Sequence, residues 1–266
     1  MQSVTGTCRI SGYTVAYAGA THPGRVRRCN EDNLLIVPDS GLFAVADGLG
    51  GLDAGDVASS AALAHLADLA AAPTTSRSDL LFARFWADTR RRQFEAMILE
   101  VNRRTYAQRV ALGKNMATTL AVLLLHERQA LIGHVGDSRI YLFRQHTLHQ
   151  LTSDHSLVND LVLQGALTAA QAKQSPQRHV ITRAIGAEPT VVPTVTELTL
   201  QAGDQLLLCT DGLTSMVADA DIAQWFAACG DTPDQDGTGV ERLINLANAA
   251  GGQDNITVVQ VEIVLN

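Results

Sequence analysis

The chain predicts an α+β fold in which antiparallel sheets are covered by helices. Short β-rich runs come in pairs around turn residues, and helical runs interrupt those pairs. There is no internal repeat, low-complexity tract or convincing linker, so residues 1–266 are read as one domain.

Residues 14–18 are rich in β-formers and read as a strand. Runs 33–37 and 42–46 flank Pro38-Asp39-Ser40-Gly41, whose residue types suit a hairpin turn. Residues 54–72 hold strong helix formers with few β-branched side chains, and Pro73 stands just beyond as a stop. Residues 74–78 read as a loop, and 79–110 as one long helix or two short ones. Arg90, Arg91, Arg92, Arg103, Arg104 and Arg109 lie on that run; such arrays are more often a solvated helix face than an acidic-partner site.

Runs 118–125 and 130–135 flank residues 126–129 as a second hairpin pattern, and 139–144 with 148–151 form a third. Residues 153–165 and 168–173 read as short helices, each opening on a Ser or Thr cap. Runs 191–200 and 205–209 flank Gly203-Asp204 as a further turn pair, and 219–228 and 240–250 are helical. In the last strand Thr257, Val259, Val261 and Ile263 alternate with Gln260 and Glu262, which predicts one buried face.

Composition excludes several classes. With 46% hydrophobic and 18% charged residues the chain is too apolar for disorder. The 27 acidic against 20 basic residues give a net charge of −7, which disfavours nucleic acid as a partner. No run is long and apolar enough to span a bilayer of roughly 30 Å, and the first ten residues lack a signal-peptide pattern. Cys8, Cys29, Cys209 and Cys229 show no metal-type spacing and are expected to be reduced thiols. A cytoplasmic monomer with no membrane partner is the expectation.

The chemistry lies in where certain acids sit. Glu31-Asp32 precedes the first hairpin, Asp47-Gly48 terminates run 42–46, Asp137 follows 130–135, Asp211-Gly212 follows 205–209, and Asp254 precedes the last strand. Strand ends can converge at one edge of a sheet, and the adjacent glycines allow close backbone approach. Carboxylates without Cys or His at ligand spacing suit the hard cations Mg²⁺ or Mn²⁺. Two such ions about 4 Å apart, bridged by one Asp, can activate a water and clamp phosphoryl oxygens. Taken singly each motif is weak, since Asp-Gly is more often a turn than a ligand.

Their joint order resembles the metal-dependent protein serine/threonine phosphatases of the protein phosphatase 2C-like (PPM) family, in their bacterial form. The resemblance runs through GRVRRCNEDN (24–33), LFAVADGLGGLDAGDVAS (42–59), ATTLAVLLL (117–125), HVGDSRIYLF (134–143), LTSDHSLVNDLVLQGALT (151–168), ITRAIG (181–186), LLLCTDGLTSMV (206–217) and GGQDNITVV (251–259). It implies two antiparallel sheets packed face to face, helices on both outer faces (an α/β/β/α sandwich) and metals at one end. It also implies hydrolysis of phosphoserine and phosphothreonine in phosphoproteins by metal-activated water, opposing a bacterial Ser/Thr kinase. Two Mn²⁺ or Mg²⁺ ions are implied, with a weaker third.

By this resemblance Asp47 bridges the two ions, the Gly48 carbonyl and Glu31 serve one, and Asp211 and Asp254 serve the other. Arg27, in the R-x-x-N-E-D pattern, is the phosphate-binding arginine, and a planar guanidinium grips phosphate in a way Lys does not. Arg27, Asp47 and Asp211 are the candidate catalytic residues. Asp137 matches the acid of the weaker metal, and residues 152–186 match a flap beside the cleft. The chain departs from the family at Leu49, where eukaryotic members carry a His proposed as general acid. It departs again at Leu52 and Ala117, where bacterial members often have His and Gly, and at Ser215, acidic in many relatives.

His134 and His155 are expected to be structural, and Ser138 needs no nucleophilic role. Two rivals stand beside this reading. A non-catalytic phosphoprotein-binding regulator would bind metal without turnover. A different metallohydrolase would prefer nucleotides or small phosphate esters over phosphopeptides.

Overall fold

The computed structural model describes residues 1–10, 12–49, 54–71, 86–229 and 238–264. In chain order these form strands β1 (Gln2–Ile10), β2 (Tyr13–His22), β3 (Asp32–Val37) and β4 (Leu42–Leu49), then helices α1 (Gly55–Ala71) and α2 (Trp86–Leu112). Strands β5 (Ala117–Thr118), β6 (Leu120–His126), β7 (Gln129–Val135), β8 (Arg139–Arg144) and β9 (Thr147–Gln150) follow, with the short helices α3 (Leu157–Leu163) and α4 (Ala169–Gln174). The chain continues through β10 (Thr194–Thr199), β11 (Gln205–Cys209), α5 (Asp211–Thr214), α6 (Asp219–Cys229), α7 (Thr238–Ala249) and β12 (Ile256–Val264).

Two antiparallel six-stranded sheets result, one ordered β1-β2-β12-β11-β8-β9, the other β10-β7-β6-β4-β3 with β5 attached to β4. Phe43, Val45, Leu123 and Ile132 of one sheet meet Val15, Ile140, Leu206 and Val261 of the other in the central layer. Behind the first sheet, Leu207 and Val258 pack on Ile222, Phe226, Leu243 and Ile244 of α6 and α7. Behind the second, Leu42, Ala44 and Val122 pack on Leu63, Leu66, Phe94 and Ile98 of α1 and α2. The α/β/β/α sandwich is therefore present, and each sheet is apolar on both faces because both are covered.

That double covering corrects the reading of β12. It lies in mid-sheet and is buried on both faces, with Gln260 and Glu262 only 3% and 6% exposed. Gln260 Nε2 donates to Oε1 of the buried Gln205 at 3.2 Å. Residues 194–199 and 205–209 do not form a hairpin: β10 pairs with β7 in one sheet and β11 with β12 and β8 in the other. The Gly203-Asp204 turn thus carries the chain across the sandwich.

Three further differences concern extents. β1, whose outer residues are polar and exposed, forms an edge strand paired along its whole length with β2. β4 continues past Asp47 to pair Gly48 and Leu49 with Thr118 and Ala117. The helix in 153–165 starts four residues late, capped by Ser156 and not Ser153. Within 79–110 one helix begins at Trp86; residues 79–85, Pro73 and the 74–78 loop lie outside the described residues.

The arginines of α2 divide. Arg103 and Arg104 pair with Glu100 on the same helix at 2.7 and 2.8 Å. Arg109 instead reaches across to the backbone carbonyls of Gly186 and Ala187, so it belongs to the packing and not to a solvated face. Cys8, Cys29 and Cys209 are free thiols. Among the described residues, no helix is long and apolar enough to cross a membrane.

Candidate metal centre

The acids singled out in the sequence meet at one end of the sandwich because each ends or starts a strand there. Asp32 and Asp47 face one another across the β3–β4 ladder. Asp137 follows β7, Asp211 opens α5 directly after β11, and Asp254 stands two residues before β12. A cleft of about 420 Å³ opens between them. Arg27, Glu31, Asp47, Gly48, Asp137, Asp211 and Asp254 all line it, so every predicted site residue is brought to one place. Leu49 and Ser215 line it as well, whereas Leu52 lies outside the described residues.

Backbone contacts hold these acids in position. The Asp47 amide donates to Thr119 Oγ1 at 2.9 Å, and its carbonyl accepts from the Thr119 amide and Thr118 Oγ1, each at 2.8 Å. Thr119 Oγ1 also touches Ser138 Oγ at 2.7 Å, which links the Asp47 strand to the turn that carries Asp137. Glu31 lies against Gly48 and α1: its carbonyl accepts from the Gly48 amide at 3.2 Å and from Ser59 Oγ at 2.5 Å. Gly48 is required there, since a Cβ would come within 2.2 Å of the Gly55 carbonyl. Gly212 has the same constraint, its Cβ falling 1.9 Å from the Asn255 carbonyl.

Asn255 was not among the predicted site residues, yet it fastens the loop before β3. Its Oδ1 accepts from the Glu31 amide at 2.8 Å, and its Nδ2 donates to the carbonyls of Pro23 and Cys29, both at 2.9 Å. These partners are more than two hundred residues away in sequence, so only the D-N beside a strand start hinted at the position. Asp32 was noted only as the neighbour of Glu31. It is fully buried and accepts from Thr210 Oγ1 at 2.7 Å. Arg178 and His179, from the segment after α4, also face the cleft, with His179 Nδ1 4.0 Å from Asp211 Oδ2.

Electrostatically the cleft is a set of buried acids opposing one another. Burial pushes Asp32 and Asp137 up to about 7, with neighbouring carboxylates adding to the shift. Asp47 is held well above the usual carboxylate range by burial and then by Asp32, Asp211, Asp137 and Asp254. Asp211 is raised by burial and Asp254, and Glu31 by burial despite Arg27. Arg27 Nη2 reaches Asp254 at 2.8 Å, but Arg27 and Arg178 are outnumbered by the five carboxylates that line the cleft. Among the described residues, no three acidic, His or Cys side chains already close on a common point.

The donor chemistry fits a hard divalent cation. All the side-chain donors are carboxylate oxygens, a carbonyl from Gly48 lies among them, and the accumulated negative charge is what such an ion offsets. His134 and His155 lie outside the cleft, buried and stacked on each other with ring centroids 4.5 Å apart. Burial and neighbouring cationic groups hold His155 down to about 3, so it stays neutral.

Comparisons with known proteins point the same way. The sequence profile of the protein phosphatase 2C family matches residues 18–246. The chain is 40% identical over 225 residues to protein phosphatase PhpP of Streptococcus pneumoniae, covering 83% of this chain and 85% of that one. The crystal structure of the Mycobacterium tuberculosis serine/threonine phosphatase PstP/Ppp superposes with a TM-score of 0.80 at 35% identity, over 95% of this chain and 99% of that one. A structure of the PstP catalytic domain in complex with 2 manganese ions superposes with a TM-score of 0.77 at 35% identity, covering 94% and 98%. With its sandwich, its strand-end carboxylates and a match across most of its length, this chain belongs to the protein phosphatase 2C family of serine/threonine phosphatases.

Proposed function

We propose that the protein hydrolyses phosphoserine and phosphothreonine in phosphoproteins at a dinuclear Mg²⁺ or Mn²⁺ centre, acting in the cytoplasm against a Ser/Thr kinase. The observation that carries this reading is the convergence of Glu31, Asp47, Asp137, Asp211, Asp254 and Arg27 on one cleft. Asp47 would be shared between two ions, the Gly48 carbonyl and Glu31 completing one set and Asp211 and Asp254 the other. Asp137 stands at the side, suited to a weaker third ion. When bound, the ions would supply charge neutralisation and activation of a water for attack on phosphorus.

The chain's own residues then do three things. The carboxylates, held in register by Thr118, Thr119, Ser59 and Asn255, fix where the cations can sit. Arg27, whose side chain is 52% exposed at the cleft rim, offers two parallel N–H groups to phosphate oxygens and would exchange its contact with Asp254 for them. Leu49 walls the cleft without a proton to give, so protonation of the leaving alkoxide does not come from position 49. Residues 152–186, read as a flap on the single phosphatase domain, border the opening and shape what can enter.

The test is hydrolysis of a phosphothreonine peptide with Mn²⁺, repeated with chelator and in Asp211→Asn. Turnover should vanish with chelator and return when Mn²⁺ is added back. Undiminished turnover in either arm would reject the reading.

A further inference from the structure

His155 belongs neither to the cleft nor to an ordinary apolar core, and its contacts run to the turn that carries Asp137. Its backbone N–H donates to the Gly136 carbonyl at 3.0 Å, and its Nδ1 accepts from the Gly136 amide at 3.2 Å. An amide can only donate, so Nδ1 accepts there. Nε2 lies 2.9 Å from Thr194 Oγ1 at the start of β10. The His155 carbonyl accepts from the Thr182 amide at 2.8 Å, and Arg183 Nη1 stands 3.1 Å from the same Nε2. One residue thus joins both feet of the 152–186 excursion to Gly136.

The residues around it repeat the pattern. Asp154 is gripped by Arg139, with Arg139 Nη2 at 2.7 Å from Asp154 Oδ2 and Nε at 2.9 Å from Oδ1. Ser138, on the other side of Asp137, bonds Thr119. Gly136 itself has φ +102°, and a Cβ there would meet Thr119 at 2.7 Å. Asp137 therefore sits in a four-residue span, 136–139, whose other three members are tied down, Gly136 and Arg139 to the adjacent His155 and Asp154 and Ser138 to Thr119. Thr119, Asp154 and His155 do not line the cleft, so these ties run behind it.

We propose that His155 is a positioning residue that fastens the 152–186 excursion to Gly136 and so sets Asp137 against the cleft. The proposal rests on the phosphatase reading for its catalytic readout, but its binding readout does not. Removing a group that orients a metal ligand typically costs about 10- to 100-fold in metal affinity or activity.

The experiment is a double-mutant cycle of His155→Ala and Asp137→Asn, read by Mn²⁺ titration calorimetry of the metal-free protein and by kcat/KM on a phosphothreonine peptide. His155→Ala should weaken the Asp137-dependent Mn²⁺ step about tenfold and lower kcat more than it raises KM. In the Asp137→Asn background it should cost nothing further, since the group it positions is gone. His155→Asn, whose side-chain oxygen can accept from the Gly136 amide where Nδ1 did, should recover most of the loss. Additive losses in the cycle, or unchanged Mn²⁺ binding in a folded His155→Ala, would overturn the proposal. If His155→Ala fails to fold, Thr194→Val, which removes the nearer of the two Nε2 partners, takes its place in the cycle: non-additive losses support the proposal and additive ones overturn it. A wild-type protein that binds Mn²⁺ but hydrolyses no phosphopeptide would reject the function while the calorimetric cycle still judged the clasp.

Discussion

Buried acids occur in two regions of this molecule under opposite conditions. Asp204, 1% exposed, is held by the Arg144 guanidinium at 2.6 and 2.7 Å and by the Gln201 amide at 2.8 Å. At the other end Asp32, Asp47, Asp137 and Asp211 are buried against one another. Both regions remove carboxylates from water, which is costly in each case. The first supplies a fitted cation from the chain, and the turn between β10 and β11 is fixed by it. The second sets Arg27 and Arg178 against five carboxylates and leaves the remaining charge for something the chain must acquire. A buried acid is thus structural or functional according to whether its compensating charge is covalently part of the fold.

The contrast predicts different responses to the same kind of substitution. Asp211→Asn should lower turnover by more than about 100-fold, the upper range for merely orienting residues, because it removes a direct oxygen donor. The same change should raise the melting temperature of the metal-free protein, since a neutral isostere relieves repulsion. Loss of activity accompanied by loss of metal-free stability would place Asp211 with Asp204 and break the contrast.

Asp204→Ala should do the reverse, costing roughly 2–3 kcal/mol of stability in denaturant titration. That figure is below the usual cost of breaking a buried pair because the Arg144 side chain is 22% exposed and is partly rehydrated. Its kcat/KM at a temperature where it remains folded should match wild type. Arg27→Lys comes next, with about a tenfold loss in kcat/KM as a two-pronged contact becomes a point charge. An unchanged value would remove Arg27 from phosphate binding.

The smallest effect is in pH dependence and belongs to the structural side. His155 is held down to about 3 by burial first and then by His134 and Arg183. An unfolded histidine titrates near 6.5, so the neutral ring's contribution is complete above about that pH and is lost as pH falls from there toward 3. Melting temperature should therefore drop by a few degrees less between pH 6.5 and 4 in His155→Asn than in wild type. Parallel curves would show that the ring does not titrate with unfolding.

Legibility in the sequence followed how local each cause was. Residues 54–72, 118–125 and 139–144 were readable because helix formers or unbroken apolar runs determine α1, β6 and β8 within a few positions. The edge strand β1 was not, because a strand with one open side carries Thr, Gly and Arg that read equally well as loop. β10 was placed beside β11 because Gly203-Asp204 has the chemistry of a hairpin turn, while the pairing that won is with β7, more than sixty residues earlier. The acids of the cleft were legible since each lies at the end or the start of a β-rich run, most of them beside a glycine. Asn255, Thr119 and His155 were not, because their function is contact with backbone that only folding brings near.

The central claim is that the cleft's uncompensated acids are a cation site. Mn²⁺ titration calorimetry of the metal-free protein, with Asp47→Asn and Asp204→Asn as paired controls, tests it most directly. Two high-affinity ions per chain, beside any weaker Asp137-dependent step, are expected for wild type and for folded Asp204→Asn, and loss of both high-affinity steps in Asp47→Asn, whose carboxylate the two ions would share. Equal binding by wild type and Asp47→Asn would contradict the claim.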